Sequence, residues 1–144
     1  MDIQIKLGNI EEAIELHKQI PEFNVANPKK EYHDRLLGKD PIILIAYINQ
    51  QKIGYKVGYN EDEYFYSWMG GVVPGYRGIG VAAKLASTQE ELVRKLSIFR
   101  IRFKTQNKFK GMLIFALKNG FSIIGTVPFK GGEGFKILLE KELN

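Results

Sequence analysis

A chain of 144 residues, 44% hydrophobic and 26% charged, has the length and balance of one folded globular domain and excludes a disordered segment. It contains no cysteine, which excludes disulfides, thiolate metal sites and cysteine nucleophiles, and its two histidines, His17 and His33, are a thin basis for a metal. The net charge of +5 favours anionic partners without choosing among nucleic acid, acidic lipid and a phosphorylated cofactor.

Ile3, Ile5 and Leu7 alternate with Gln4 and Lys6, the period of a half-buried strand. Asn9 and Glu12 have the spacing of a capping box, and the helix they open carries Ile10, Ala13, Ile14, Leu16 and Ile20 at helical spacing and ends before Pro21. His17 falls away from that apolar face and is expected at the surface, as is His33. Asn27 before Pro28, with Gly38 beyond the end, marks a second short helix. The apolar run Ile42 to Ile48 predicts a central strand, Asn49 to Lys52 a hairpin turn, and the alternation of Ile53, Tyr55, Val57 and Tyr59 its partner. After the turn Asn60 to Glu63, Tyr64 to Val73 completes a three-strand meander. Val81, Leu85, Leu92 and Leu96 predict a helix, Phe99 to Lys104 a strand, and Lys110 to Asn119 a helix closed by Gly120. Phe121 to Val127 and Phe135 to Lys141 are the last two strands. The order β-α-α-β-β-β-α-β-α-β-β predicts a single domain over residues 1–144, of α+β class, with a mixed, mainly antiparallel central sheet and helices on both faces.

No apolar run approaches the roughly 18 residues of a membrane span, and no basic amino-terminal region leads into an apolar stretch. The expected location is therefore cytoplasmic, with no membrane partner.

The strand that ends the meander runs into Val73-Pro74-Gly75-Tyr76-Arg77-Gly78-Ile79-Gly80-Val81-Ala82-Ala83, a glycine-rich turn opening a helix. Glycines allow close backbone approach, and a helix start presents free N–H groups and the positive end of its dipole, so the stretch is an anion site. A nucleotide P-loop does not fit, because Val81 and Ala82 stand where lysine and a hydroxyl are needed. A dinucleotide fold does not fit either. Gly78, Gly80 and Ala83 match its loose pattern, but the preceding strand closes an antiparallel meander, and the next strand ends in Lys104-Thr105 without an acid for the ribose.

With Arg77, Gly80 and Ala82 in place, the turn closely resembles the acetyl-coenzyme A signature of the GNAT superfamily, the Gcn5-related N-acetyltransferases, and the element order matches that family too. Lys118-Asn119-Gly120-Phe121 resembles the family's later Lys-x-Gly-Phe segment. The resemblance implies the acyl-CoA N-acyltransferase fold and a pyrophosphate held by the backbone of Gly78, Ile79, Gly80, Val81, Ala82 and Ala83 with Arg77. It implies a pantetheine arm docked on Val72 and Val73, a further contact from Asn107, and no metal. Gly70-Gly71 would mark a bulge that splays the strand from its neighbour and opens a slot for the thioester.

The implied activity is transfer of an acetyl group from acetyl-CoA to a primary amine by direct attack, with a backbone N–H near Val72 as oxyanion donor. Family members commonly place a tyrosine acid five residues before the phenylalanine of Lys-x-Gly-Phe, and here that residue is Ala116. Tyr66 is the alternative acid, and Glu22, in the loop after the first helix, is the candidate base. The acceptor is a small-molecule amine or a lysine or N-terminal amine, and exposed strand edges make a homodimer plausible. A catalytically silent acyl-CoA-binding module of the same fold is the alternative that Ala116 raises. A nucleic-acid-binding surface built from Arg100, Arg102 and Lys104 is the reading from another class, and the expectation is no nucleic-acid partner.

Overall fold

A computed structural model describes residues 2–144. In chain order the elements are β1 (Gln4–Leu7), α1 (Ile10–His17), α2 (Pro28–Leu36), β2 (Ile42–Ile48), β3 (Gln51–Asn60), β4 (Phe65–Val72), α3 (Val81–Lys95), β5 (Arg100–Thr105), α4 (Lys110–Lys118), β6 (Ser122–Pro128) and β7 (Phe135–Glu142). The order is the one the sequence patterns predict. Local chemistry accounts for the boundaries: Asn9 and Glu12 form the reciprocal capping box of α1, and Asn27 caps α2 with Pro28 at its first position. Asn49 and Gln50 both take positive φ (49° and 68°), the conformation that turns β2 back as β3 in two residues.

All seven strands form one sheet in the order β1-β2-β3-β4-β5-β7-β6, antiparallel throughout except for β4 beside β5. Alternate residues of β2 go to opposite faces. Ile43 and Ile45 pack with Ala13, Ile14 and Leu16 of α1 and Tyr32 and Leu36 of α2, whereas Leu44 and Ala46 pack with Val81 and Leu85 of α3. Each buried Leu or Ile contributes about 1.5–3 kcal/mol. Helices thus cover both faces, with α1 and α2 on one side and α3 on the other.

The ladders shift in two places that the sequence patterns do not show. Ile53 is an extra residue in β3, which turns its side chain to the α3 face while Tyr55, Val57 and Tyr59 face α1 and α2. In β4 the extra residue is Trp68, not the expected Gly70-Gly71. The indole packs edge-on to Tyr32, with ring centres 4.8 Å apart, and lies under the Arg35 guanidinium at 5.2 Å, so its docking on α2 explains the bulge. The glycines serve close packing instead: a Cβ on Gly71 would collide with Ile20, and one on Gly70 would sit 2.9 Å from the Tyr55 carbonyl oxygen.

β4 and β5 touch only where Phe65 pairs with Ile101 and Tyr66 with Arg102. Beyond that point β4 stays on β3 as far as Val72, and β5 stays on β7 as far as Thr105, so the two strands part and leave a slot between Ser67–Val72 and Phe103–Thr105.

Candidate functional site

The turn between β4 and α3 begins with a single 3-10 turn, Pro74–Tyr76, and passes through Gly78 (φ 78°) and Gly80 (φ 95°), conformations that L side chains rarely adopt. Gly80 is the N-cap of α3 with no side chain to satisfy the helix start, and the first helical bond runs from Lys84 N–H to Gly80 C=O. Among the described residues, no backbone N–H from Gly78 through Ala83 donates to another group of the protein. Six consecutive free donors therefore lie at the positive end of a 15-residue helix, an arrangement that suits an anion.

Arg77 leaves this turn toward the opposite face. Its Nε donates to the Val72 carbonyl at 3.0 Å, and its guanidinium donates to both Glu22 oxygens at 2.7 and 3.0 Å. The structure thus brings two of the sequence candidates, Arg77 and Glu22, into direct contact. The Arg77 guanidinium holds the Glu22 carboxyl below its ordinary range, so Glu22 is a carboxylate at neutral pH and a weaker base than a free one. Both partners are exposed, and such a pair is worth at most about 1 kcal/mol.

Val72 and Val73 present their backbones differently. Val73 N–H donates to Ile53 C=O at 2.9 Å and its own C=O accepts from Tyr76 N–H at 2.9 Å, so both groups are engaged. That bond makes Val72 and Gly54 a non-hydrogen-bonded pair of the antiparallel ladder, which points the Val72 N–H and C=O away from β3; the C=O is taken by Arg77 Nε, and the N–H is left facing the slot.

Tyr66 sits at the closed end of the slot, paired with Arg102, and its ring packs with the α1 and α2 cluster, 5.7 Å from Tyr59. Burial pushes its hydroxyl up to about 12. Asn107 is exposed in the turn between β5 and α4, at the other end of the slot's β5 wall.

The slot holds residues that the sequence patterns do not single out. Lys56 of β3, Ser67 of β4, Gln89 and Glu90 of α3, Phe103 of β5 and Ala116 of α4 line one space on the α3 side of the sheet, of about 30 Å³. Lys56 follows Tyr55 and precedes Val57, and the alternation assigns it to a polar face. In a strand with neighbours on both edges and helices on both faces, that face is also interior. The central position of β3 is the signal that identifies it.

His17 is corrected from surface to core. It is 3% exposed, with Nδ1 2.8 Å from the Tyr32 hydroxyl, which in turn lies 2.6 Å from the Tyr55 hydroxyl. Tyr32 and Tyr55 face α1 from a helix and a strand whose own patterns do not reveal the meeting. His33 is exposed, as expected.

Among the described residues no cluster of metal-ligating side chains is found, and no helix is long and apolar enough to cross a membrane. A sequence comparison with functionally curated proteins returns no match. Among solved structures, the chain is similar to the PaiA N-acetyltransferase of Thermoplasma acidophilum in complex with coenzyme A, at 18% identity over 99% of both chains with a TM-score of 0.77. It is similar to the ribosomal-protein-S18-alanine N-acetyltransferase of Escherichia coli, at 11% identity over 99% of this chain and 94% of that one, TM-score 0.82. A GNAT family acetyltransferase of Elizabethkingia anophelis with acetyl-CoA bound aligns at 19% identity over 98% of each chain, TM-score 0.74. Identities this low speak for the fold. The model of the acetyltransferase (GNAT) family matches residues 10–121, the span that contains the glycine-rich turn, both walls of the slot and the Lys-x-Gly-Phe segment. The chain therefore belongs to the GNAT family of acetyltransferases.

Proposed function

We propose that the chain transfers an acetyl group from acetyl-CoA to a primary amine by direct attack of the amine nitrogen on the thioester carbonyl. The observation that carries this reading is the row of free N–H groups from Gly78 to Ala83 at the mouth of the slot where β4 and β5 part. A pyrophosphate fits those donors, and Arg77 adds a cation at the rim. An amide-bearing arm fits against the slot-facing N–H of Val72, and against its C=O once Arg77 moves off it, as an added strand would, with Val73 behind it and Asn107 near the other end. The Val72 N–H is then the donor nearest the carbonyl whose oxygen gains charge in the transition state.

The acceptor reaches the slot from the α1 and α2 face, where Glu22 stands in the loop between the helices and Tyr66 and Trp68 offer aromatic surface that suits an amine. On this reading Glu22 takes the proton that the amine loses, once a phosphate has drawn Arg77 from it. The acceptor is a small amine or a protein amine; a structural relative is named for the alanine of ribosomal protein S18.

Isothermal titration with acetyl-CoA tests the reading. Binding in the micromolar range, about −8 kcal/mol, is expected. No heat at millimolar ligand would sink it.

A further inference from the structure

We propose that Lys56 is the proton donor to the sulfur that leaves the thioester, with the Gln89 side-chain amide as a second donor beside it. The inference rests on the reading above, that acetyl-CoA lies between β4 and β5.

The geometry places a lysine where one is costly without a task. Lys56 pairs across the ladder with Gly70, and a Cβ there would sit 3.4 Å from Lys56 Cγ, so the absence of a side chain at Gly70 lets the lysine stem run along β4 into the slot. Its ammonium has no ion pair among the described residues. The carboxylate that shares the space, Glu90 of α3, is already held by Lys141 of β7 at 3.0 and 3.1 Å and by Arg94 at 3.8 Å. No other charged group faces Lys56: the β5 and α4 walls present Ile101, Phe103, Phe115 and Ala116. Gln89 is 1% exposed, and its Nε2 has no acceptor in the protein. A buried amide donor and a half-buried ammonium, neither with a hydrogen-bond partner or ion pair in the protein and both on one slot, are matched by a ligand atom that becomes negative. The sulfur of a breaking thioester is such an atom.

The step balances without a co-reactant. As the amine nitrogen bonds to the carbonyl carbon, the carbon–sulfur bond breaks and its electron pair goes to sulfur. Lys56 passes a proton to that sulfur, giving the thiol and a neutral lysine. The proton lost by the amine goes to the Glu22 side and to solvent, and solvent recharges Lys56. Burial pulls the Lys56 ammonium down to about 8, with Glu90 opposing, so the donor is charged at neutral pH and gives up its proton readily.

Calorimetry of the wild-type chain with acetyl-CoA comes first, because failure there overturns the proposed function, whereas the later measurements bear on Lys56 alone. In Lys56→Met, kcat is expected to fall about 100-fold with the acetyl-CoA affinity retained. The ultraviolet absorbance of the thiolate supplies a readout independent of turnover: coenzyme A bound to the wild type ionises at lower pH than free coenzyme A, and coenzyme A bound to Lys56→Met does not. Wild-type kcat falls as pH rises through about 8, and Lys56→Arg, a cation that does not titrate there, keeps the thiolate shift and loses that fall. If Lys56→Met does not fold, Lys56→Arg carries the pH profile and the thiol titration by itself. Wild-type kcat and thiol ionisation in Lys56→Met overturn the proposal. So does a pH profile unchanged in Lys56→Arg, or an acetyl group found on Lys56 by mass spectrometry during turnover, which would make it a nucleophile.

Discussion

At the scale of single residues, the side chains that matter most are polar groups inside the protein. His17 is held neutral by burial, with Glu31 pulling weakly the other way, so its imidazole protonates in the native state only below its ordinary value. The unfolded chain takes up that proton near pH 6.5. Stability is therefore full above about pH 6.5 and is lost progressively as pH falls from there through the lower native value, because the unfolded state binds a proton that the native state refuses. Urea unfolding between about pH 7 and 5 should show a falling midpoint in the wild type. The His17→Gln variant should lose about 1–3 kcal/mol at pH 7, since the buried Tyr32–Tyr55 pair loses the imidazole it bonds and the ring's packing, and should show less of that slope. A wild-type midpoint that stays flat over this range would mean that His17 is solvated. His17 was legible in the sequence as a helical residue but not as a core residue. Its burial depends on Tyr32 and Tyr55, from two other elements, arriving at the same point, and periodicity within α1 carries no trace of either.

At the scale of elements, sequence and structure agree where a signal is local and part where it depends on packing. Caps, turn residues and alternation placed all eleven helices and strands in order, because Asn9, Asn27, Gly38 and Gly120 act on the backbone next to them. The bulges were not legible. Trp68 and Ile53 leave the ladder according to which helix their side chains meet, and Lys56 lies inward because β3 is central. Gly80 shows a local signal with a functional reach. A Cβ there meets no heavy atom within 4 Å, so Gly80→Ala should cost only the left-handed backbone penalty, about 1–2 kcal/mol, seen as a lowered melting temperature. The added methyl projects beside the free N–H groups, and acetyl-CoA affinity should drop about tenfold by calorimetry, or about 1.4 kcal/mol. Gly75→Ala is the control: it has open space and no positive φ, so both measurements should stay within about 0.5 kcal/mol of wild type. Equal effects at the two positions would show that the turn's left-handed residue has no special part.

At the scale of the whole molecule, the sheet is continuous in outline but not in hydrogen bonding. From β1 to β4 each strand is tied to the next along most of its length, and β5, β7 and β6 are tied likewise, while the join between the two groups is the short stretch at Phe65 and Tyr66. The core is divided less sharply, because Phe65, Val93, Ile98, Ile101 and Leu143 form one cluster that spans the join. The clusters against α1 and α2 and beneath the amino-terminal half of α3 draw on β1 to β3, whereas Ala116, Ile137 and Leu139 form a small cluster of their own under α4. Two groups of strands held together by one short pairing and one small cluster should open as two cooperative units. Amide hydrogen exchange on the free protein is expected to show β5, β6 and β7 exchanging together at a lower opening free energy than β2 and β3. A single exchange class across all seven strands would contradict this. A ligand lying in the gap replaces the missing ladder with its own contacts, so the two classes should converge when acetyl-CoA is added. If acetyl-CoA lies there as proposed, the parting of β4 from β5 makes the substrate a structural part of the sheet, and the mechanical unity of the domain becomes a function of ligand concentration.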